Sequence, residues 1–130
     1  MSTPAELKYA KSDEWIKVEG NIGTVGISDY AQNQLSDVVF VEVRLSPGET
    51  GKKGEVFATI ESVKAAADIN LPVSGKIIAV NESLPDTPEI VNSDPYGAAW
   101  LLKLEISDLA DLADLMTAAE YDAYCQGRGH

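Results

Sequence analysis

The sequence has few of the residues from which disulfides and metal sites are built. It contains one cysteine, Cys125, and one histidine, His130. A single cysteine cannot form a disulfide within the chain, and this favours a reducing compartment. No group of Cys, His and carboxylate residues has the spacing of a metal site, so we expect none.

Positive charge and long apolar runs are also scarce. The sequence has ten Lys and Arg residues and 21 Asp and Glu residues. The net charge of −11 argues against nucleic acid and anionic membranes as partners. No apolar run approaches the roughly 20 residues that cross a bilayer. The start, MSTPAELKYAKSDEW, resembles neither a secretory signal nor a transit peptide. We expect a soluble protein of a bacterial-type cytoplasm, or of the mitochondrial matrix if it is a processed eukaryotic form.

Short β-like segments make up most of what is present. Alternating or β-branched runs separated by Gly and Pro turns predict strands at 14–18, 21–27, 38–43, 55–60, 76–80 and 100–106. A short helix is predicted near residues 28–35, with Ser28 as its N-cap. Many short strands with a few helices predict a mainly β fold, a small barrel or sandwich. The 130 residues suit one domain.

The C-terminal region, about residues 107–125, has a helical pattern. Between Ser107 and Met116, leucines and one methionine recur on one face, and three aspartates fall on another, which predicts a helix packed on the core. Thr117 and Glu120 have the spacing of a capping box, which predicts the start of a second short helix.

The segment ESVKAAADI, residues 61–69, places Lys64 among small and apolar residues. Strand-like sequence lies on both sides of it, so we predict a hairpin over about residues 55–75 with Lys64 at the apex. A lysine at a hairpin tip is a plain solvated turn residue or a target for an acylating enzyme. A Schiff-base catalyst would need a lowered pKa from a desolvated pocket or a second cation, and the neighbouring sequence offers neither.

The segment ESVKAAADI, followed by PVSG at residues 72–75, closely resembles the lipoyl-attachment segment of the glycine cleavage system H proteins. Four further blocks resemble the same family in the same order along the chain. These blocks are SDEWI (12–16), TVGISDYAQ (24–32), LSDVVFVEV (35–43) and NSDPYG (92–97), the last followed by Trp100. The sequence departs from the family pattern at Asp13, where His is usual, and at Ala67, where Ser is common.

The resemblance implies a carrier, not an enzyme. It implies a single lipoyl-carrier domain over residues 1–130, with a barrel-sandwich hybrid fold of two small antiparallel sheets. Lipoic acid would be joined by an amide bond to Lys64. The arm would take an aminomethyl group from a glycine decarboxylase that uses pyridoxal phosphate and deliver it to a tetrahydrofolate-dependent aminomethyltransferase. A dihydrolipoyl dehydrogenase with FAD would then reoxidise the arm, and we expect the carrier to be a monomer.

The family resemblance also assigns roles to single residues. Glu14, Ser12 and Asp68 match positions that line a cleft for the loaded arm, and a carboxylate there can accept a charge-assisted hydrogen bond from a protonated amine. Three neighbours of Lys64 are candidates for recognition by the lipoylating enzyme: Glu61, Val63 and Ala65. The alternatives are a lipoyl-relay protein, or the lipoyl or biotin domain of another carrier.

Overall fold

A computed structural model describes residues 3–128, and His130 lies outside them. The chain folds into nine strands in this part. They are β1 (Lys8–Tyr9), β2 (Glu14–Glu19), β3 (Ile22–Ile27), β4 (Val38–Val43), β5 (Thr50–Gly51), β6 (Val56–Ser62), β7 (Ala66–Asn70), β8 (Gly75–Val80) and β9 (Leu102–Ile106).

The strands form two antiparallel sheets, as predicted. The larger sheet has the order β1-β2-β3-β9-β8-β5, and the smaller has the order β4-β6-β7. Over residues 3–128 neither sheet closes into a barrel. The main hydrophobic core includes side chains from both sheets, among them Ile16, Val41, Ile60 and Leu104. Two short strands, β1 and β5, were not predicted, because two residues are too few to show an alternating pattern.

Two short helices lie in the connections between strands. Helix α1 (Asp29–Leu35) follows β3, and the N–H of Ala31 donates to Oγ of its predicted N-cap Ser28 over 3.1 Å. Helix α2 (Ile90–Ser93) precedes β9. The side chain of Asn92 in α2 accepts from the N–H of Val38 and donates to the carbonyl of Ser36, so it fixes the start of β4.

The predicted C-terminal helices are present, but the first differs from expectation. It is a 3₁₀ helix (Leu109–Asp114), and its Leu109 is 53% exposed instead of packed on the core. Leu112 and Leu115 pack against the core as predicted. The aspartates add contacts of their own: Nζ of Lys53 donates to the carbonyl of Asp111 and to the carboxylate of Asp114, each over 2.7 Å. In a 3₁₀ helix residues three apart lie on one face, so the spacing of the leucines is kept. Leu109, the first residue of the helix, is the one that the core does not cover.

The second C-terminal helix is α3 (Ala118–Gln126), and its predicted capping box between Thr117 and Glu120 is confirmed. Its Tyr121 ring stacks on that of Tyr9 with centroids 4.6 Å apart. These rings belong to a second core cluster with Trp15, which holds α3 against β1 and β2. No helix among residues 3–128 has the length and apolarity to cross a membrane.

One glycine permits the close pairing of β8 with β9. A methyl group on Gly75 would lie 2.2 Å from the carbonyl oxygen of Glu105, whereas one on Gly127 would have 3.6 Å to its nearest neighbour. We expect Gly75→Ala to lower the free energy of unfolding by about 1–3 kcal/mol, because backbone must move. Urea unfolding measures this.

Gly127→Ala is the matched control, because Gly127 has an ordinary φ of −73°. We expect it to leave the free energy of unfolding unchanged, or to raise it by about 0.5 kcal/mol through the unfolded state. Equal effects of the two substitutions would contradict this account of the β8–β9 contact.

Candidate functional site

Lys64 stands at the apex of the hairpin that β6 and β7 form. The hairpin closes through the N–H of Ser62, which donates to the carbonyl of Ala65 over 2.7 Å, and through Oγ of Ser62, which accepts from the N–H of Ala65. Lys64 is exposed, and no ion pair or hydrogen bond reaches its Nζ from the part of the chain described. The predicted position of the reversal is therefore confirmed.

The recognition candidates beside the lysine are all exposed. Val63 is 68% exposed, and Glu61 and Ala65 also face solvent. Their backbone is fixed, because the N–H of Val63 donates to the carbonyl of Asp37 over 3.0 Å. A partner can thus approach the tip without unfolding it.

Glu14 is fully buried at the start of β2. Its carboxylate accepts from Oγ of Ser12, and also from the N–H of Asn70 in β7 over 3.0 Å. Burial raises the pKa of Glu14 to about 7, although both hydrogen bonds favour the charged form. Glu14 therefore links the larger sheet to the strand that leaves the hairpin.

A cleft of about 340 Å³ lies between the hairpin and α1. Two of the three predicted cleft residues, Ser12 and Asp68, line it, and Glu14 lies behind Ser12, not on the wall. Other parts of the wall are apolar, with Ile27 and Ala67 among them. The cleft thus combines hydrocarbon surface with hydrogen-bond acceptors.

The C-terminal end of the described chain forms one side of this cleft, which the sequence did not predict. Arg128 lines the cleft, and its Nη1 and Nη2 donate to the two oxygens of Asp13 over 2.5 and 3.0 Å. The guanidinium lies over the ring of Tyr30, 4.4 Å from its centroid. Asp13 also accepts from the hydroxyl of Tyr121 over 2.8 Å.

Asp13 has φ of +81°, a left-handed conformation that Asp tolerates better than most residues. The Asp13 contacts join residues 108 and 115 positions apart. No local pattern in the sequence could have shown them. The only signal was the Asp in place of the family's usual His.

Comparison with known proteins agrees with this arrangement. The family model described as glycine cleavage H-protein matches residues 7–128. A glycine cleavage system H protein of Symbiobacterium thermophilum is 53% identical over 123 residues, which are 95% of each chain. One of Staphylococcus epidermidis is 49% identical over 121 residues, 93% of this chain and 95% of the relative.

A solved structure is similar as well. The crystal structure of a glycine cleavage system H protein from Mycobacterium marinum matches with a TM-score of 0.83 and 33% identity, over 98% of this chain and 99% of that one. The match confirms the predicted fold class. The chain belongs to the glycine cleavage H-protein family.

Proposed function

We propose that this chain is the lipoyl-bearing shuttle of glycine cleavage, with lipoic acid joined by an amide bond to Nζ of Lys64. It acts as one non-catalytic carrier domain over residues 1–130, in the bacterial cytoplasm. The observation that carries the proposal is the free, exposed lysine at the apex of a fixed hairpin, in a member of this family.

The proposed partners are those that the family's chemistry requires. They are a pyridoxal-phosphate glycine decarboxylase, a tetrahydrofolate-dependent aminomethyltransferase, an FAD-dependent dihydrolipoyl dehydrogenase and a lipoylating enzyme. When bound, the lipoyl group supplies a disulfide that accepts the aminomethyl group and is reduced. The protein supplies reach, orientation and protection from water.

The residues of the cleft suit both the hydrocarbon part of such an arm and the amine that it would carry. The apolar wall, which includes Ile27 and Ala67, suits a hydrocarbon chain, and Ser12 and Asp68 can accept hydrogen bonds from a protonated amine. Both oxygens of Glu14 already accept bonds, from Ser12 and from the Asn70 N–H. We therefore propose Glu14 as a positioning residue that holds Ser12 and β7 in place.

Intact mass tests the site of attachment. We expect the protein made in a lipoylating host to gain a lipoyl-sized increment, and we expect Lys64→Arg to lose it, because arginine cannot form the amide. Lys76→Arg is the matched control, since Lys76 is also an exposed lysine but lies within strand β8. It should keep the full increment.

Three other results would contradict the proposal. An increment that survives in Lys64→Arg would place the arm elsewhere, and a biotin-sized increment would indicate a biotin carrier. An unmodified protein that forms a borohydride-trapped adduct with a carbonyl substrate would indicate a Schiff-base enzyme.

The buried Glu14 carboxyl predicts a pH-dependent stability. Its folded pKa of about 7 exceeds the ordinary value of 4.5, so the folded state holds a proton that the unfolded state releases between these values. The free energy of unfolding should therefore fall as pH rises from 4.5 to 7, and level off above that, with up to about 3 kcal/mol from this group.

Glu14→Gln should remove this dependence, because the amide stays neutral. Urea unfolding at pH 5 and pH 8 should show the variant gaining stability relative to the parent at the higher pH. The altered hydrogen bonds change the free energy of unfolding of the variant by the same amount at both pH values. The test is therefore how the difference between variant and parent changes with pH. Glu19→Gln, at the exposed end of the same strand, is the control and should show no such change. If the difference in free energy of unfolding between Glu14→Gln and the parent were the same at pH 5 and pH 8, Glu14 would not be a buried carboxyl that holds a proton.

A further inference from the structure

Strand β4, at the edge of the smaller sheet, exposes two neighbouring apolar side chains. The pairing with β6 shifts between Val38↔Ser62 and Phe40↔Glu61, so Val39 is an extra residue in a bulge. A bulge redirects side chains, and here both Val39 and Phe40 face solvent, 54% and 44% exposed. A regular strand would have turned one of the two inward.

These side chains lie beside the apex of the hairpin. Phe40 is opposite Glu61, three residues before Lys64, which corresponds to about 10 Å along a strand. Val63, bonded through its N–H to Asp37, is 68% exposed next to the lysine. Among the described residues, five large apolar side chains are exposed, and three of them lie at this end of the hairpin.

Acidic side chains border these three apolar residues. Asp37 and Glu61 are exposed beside them, whereas Glu42, further along the same strand, is paired with Arg44 over 3.6 Å. We call Val39, Phe40 and Val63, with Asp37 and Glu61, the tip patch. Apolar surface with a charged rim is typical of protein–protein contact sites. The negative rim calls for a partner with positive charge.

We propose that the tip patch is the docking surface for the enzyme that acylates Lys64, and that this enzyme presents an apolar depression flanked by Lys or Arg side chains. The inference rests on the proposed function, because it names the partner of the same lysine. An enzyme that acts on the far end of the lipoyl arm has its active site separated from Lys64 by the length of that arm. The acylating enzyme must instead bring its acyl carbonyl to Nζ itself.

The chemical step fixes how close that enzyme comes. With lipoyl adenylate as acyl donor, Nζ of Lys64 attacks the acyl carbon. The amide C–N bond forms, the C–O bond to AMP breaks, and the amine protons pass to solvent. The enzyme therefore encloses the turn at residues 63–65, and the tip patch lies within the same contact area.

In vitro acylation tests the docking surface. The substrates are the unmodified full chain, lipoate and ATP, with a bacterial lipoate–protein ligase. We expect Phe40→Ser and Val39→Ser each to lower kcat/KM for the chain about tenfold, mainly through KM, as truncation of an interface anchor does. Phe40→Leu, which keeps an apolar side chain, should restore most of the loss.

Leu109→Ser is the matched control, because Leu109 is 53% exposed, close to the 54% of Val39, but belongs to the 3₁₀ helix. Its kcat/KM should stay within about twofold of the parent. Glu61→Lys should lower kcat/KM and weaken its dependence on salt. Thermal unfolding of each variant shows that the fold is kept.

The two proposals fail in different ways. A parent chain that gains no lipoyl group at Lys64 would overturn the proposed function. If the parent is acylated normally, and Phe40→Ser and Val39→Ser have the same kcat/KM as Leu109→Ser, only the docking surface is overturned.

Discussion

The antiparallel pairing of β6 with β7 decides where Lys64 stands. Five residue pairs align the two strands, and the turn at 63–65 closes through Ser62 and Ala65. Because the backbone on both sides is fixed by these hydrogen bonds, the lysine cannot fold back onto the protein as part of a loose loop. Its four-carbon side chain is exposed and makes no hydrogen bond or ion pair with the described residues, which suits an amine that an outside enzyme must reach. The cleft and the tip patch both take their positions from this hairpin.

A second set of contacts holds the hairpin against the body of the protein. Buried Glu14 binds Ser12 and the N–H of Asn70, so β2 and the end of β7 share one carboxyl group. Asp13, the next residue in the chain, binds Arg128 and Tyr121 instead. Residues 12–14 thus join the hairpin, the larger sheet and the C-terminal helix. Such a corner tolerates little change, since removing one partner would leave a buried polar group without its hydrogen bond.

The sequence was informative wherever the determinants are local. Alternation predicted the main strands, the spacing of Thr117 and Glu120 predicted a helix start, and strand-like sequence on both sides of Lys64 predicted the apex. It failed where distant residues decide. The contacts of Lys53 with Asp111 and Asp114 join the 3₁₀ helix to a distant part of the chain. The exposure of both Val39 and Phe40 depends on a shift in pairing with β6, and Arg128 meets Asp13 across nearly the whole chain. Neither contact leaves a pattern within a window of sequence.

The account depends on a free amine at a fixed apex, and competitive labelling of lysines measures this directly. A trace of an amine-acylating reagent is added to the folded, unmodified protein, and peptide mass spectrometry gives the relative rate at each lysine. The account predicts that Lys64 reacts among the fastest. Lys53, whose ammonium is bound by Pro72, Asp111 and Asp114, should react slowest. Labelling of Lys64 as slow as that of Lys53 would show that its amine is held by the protein, and would contradict the account.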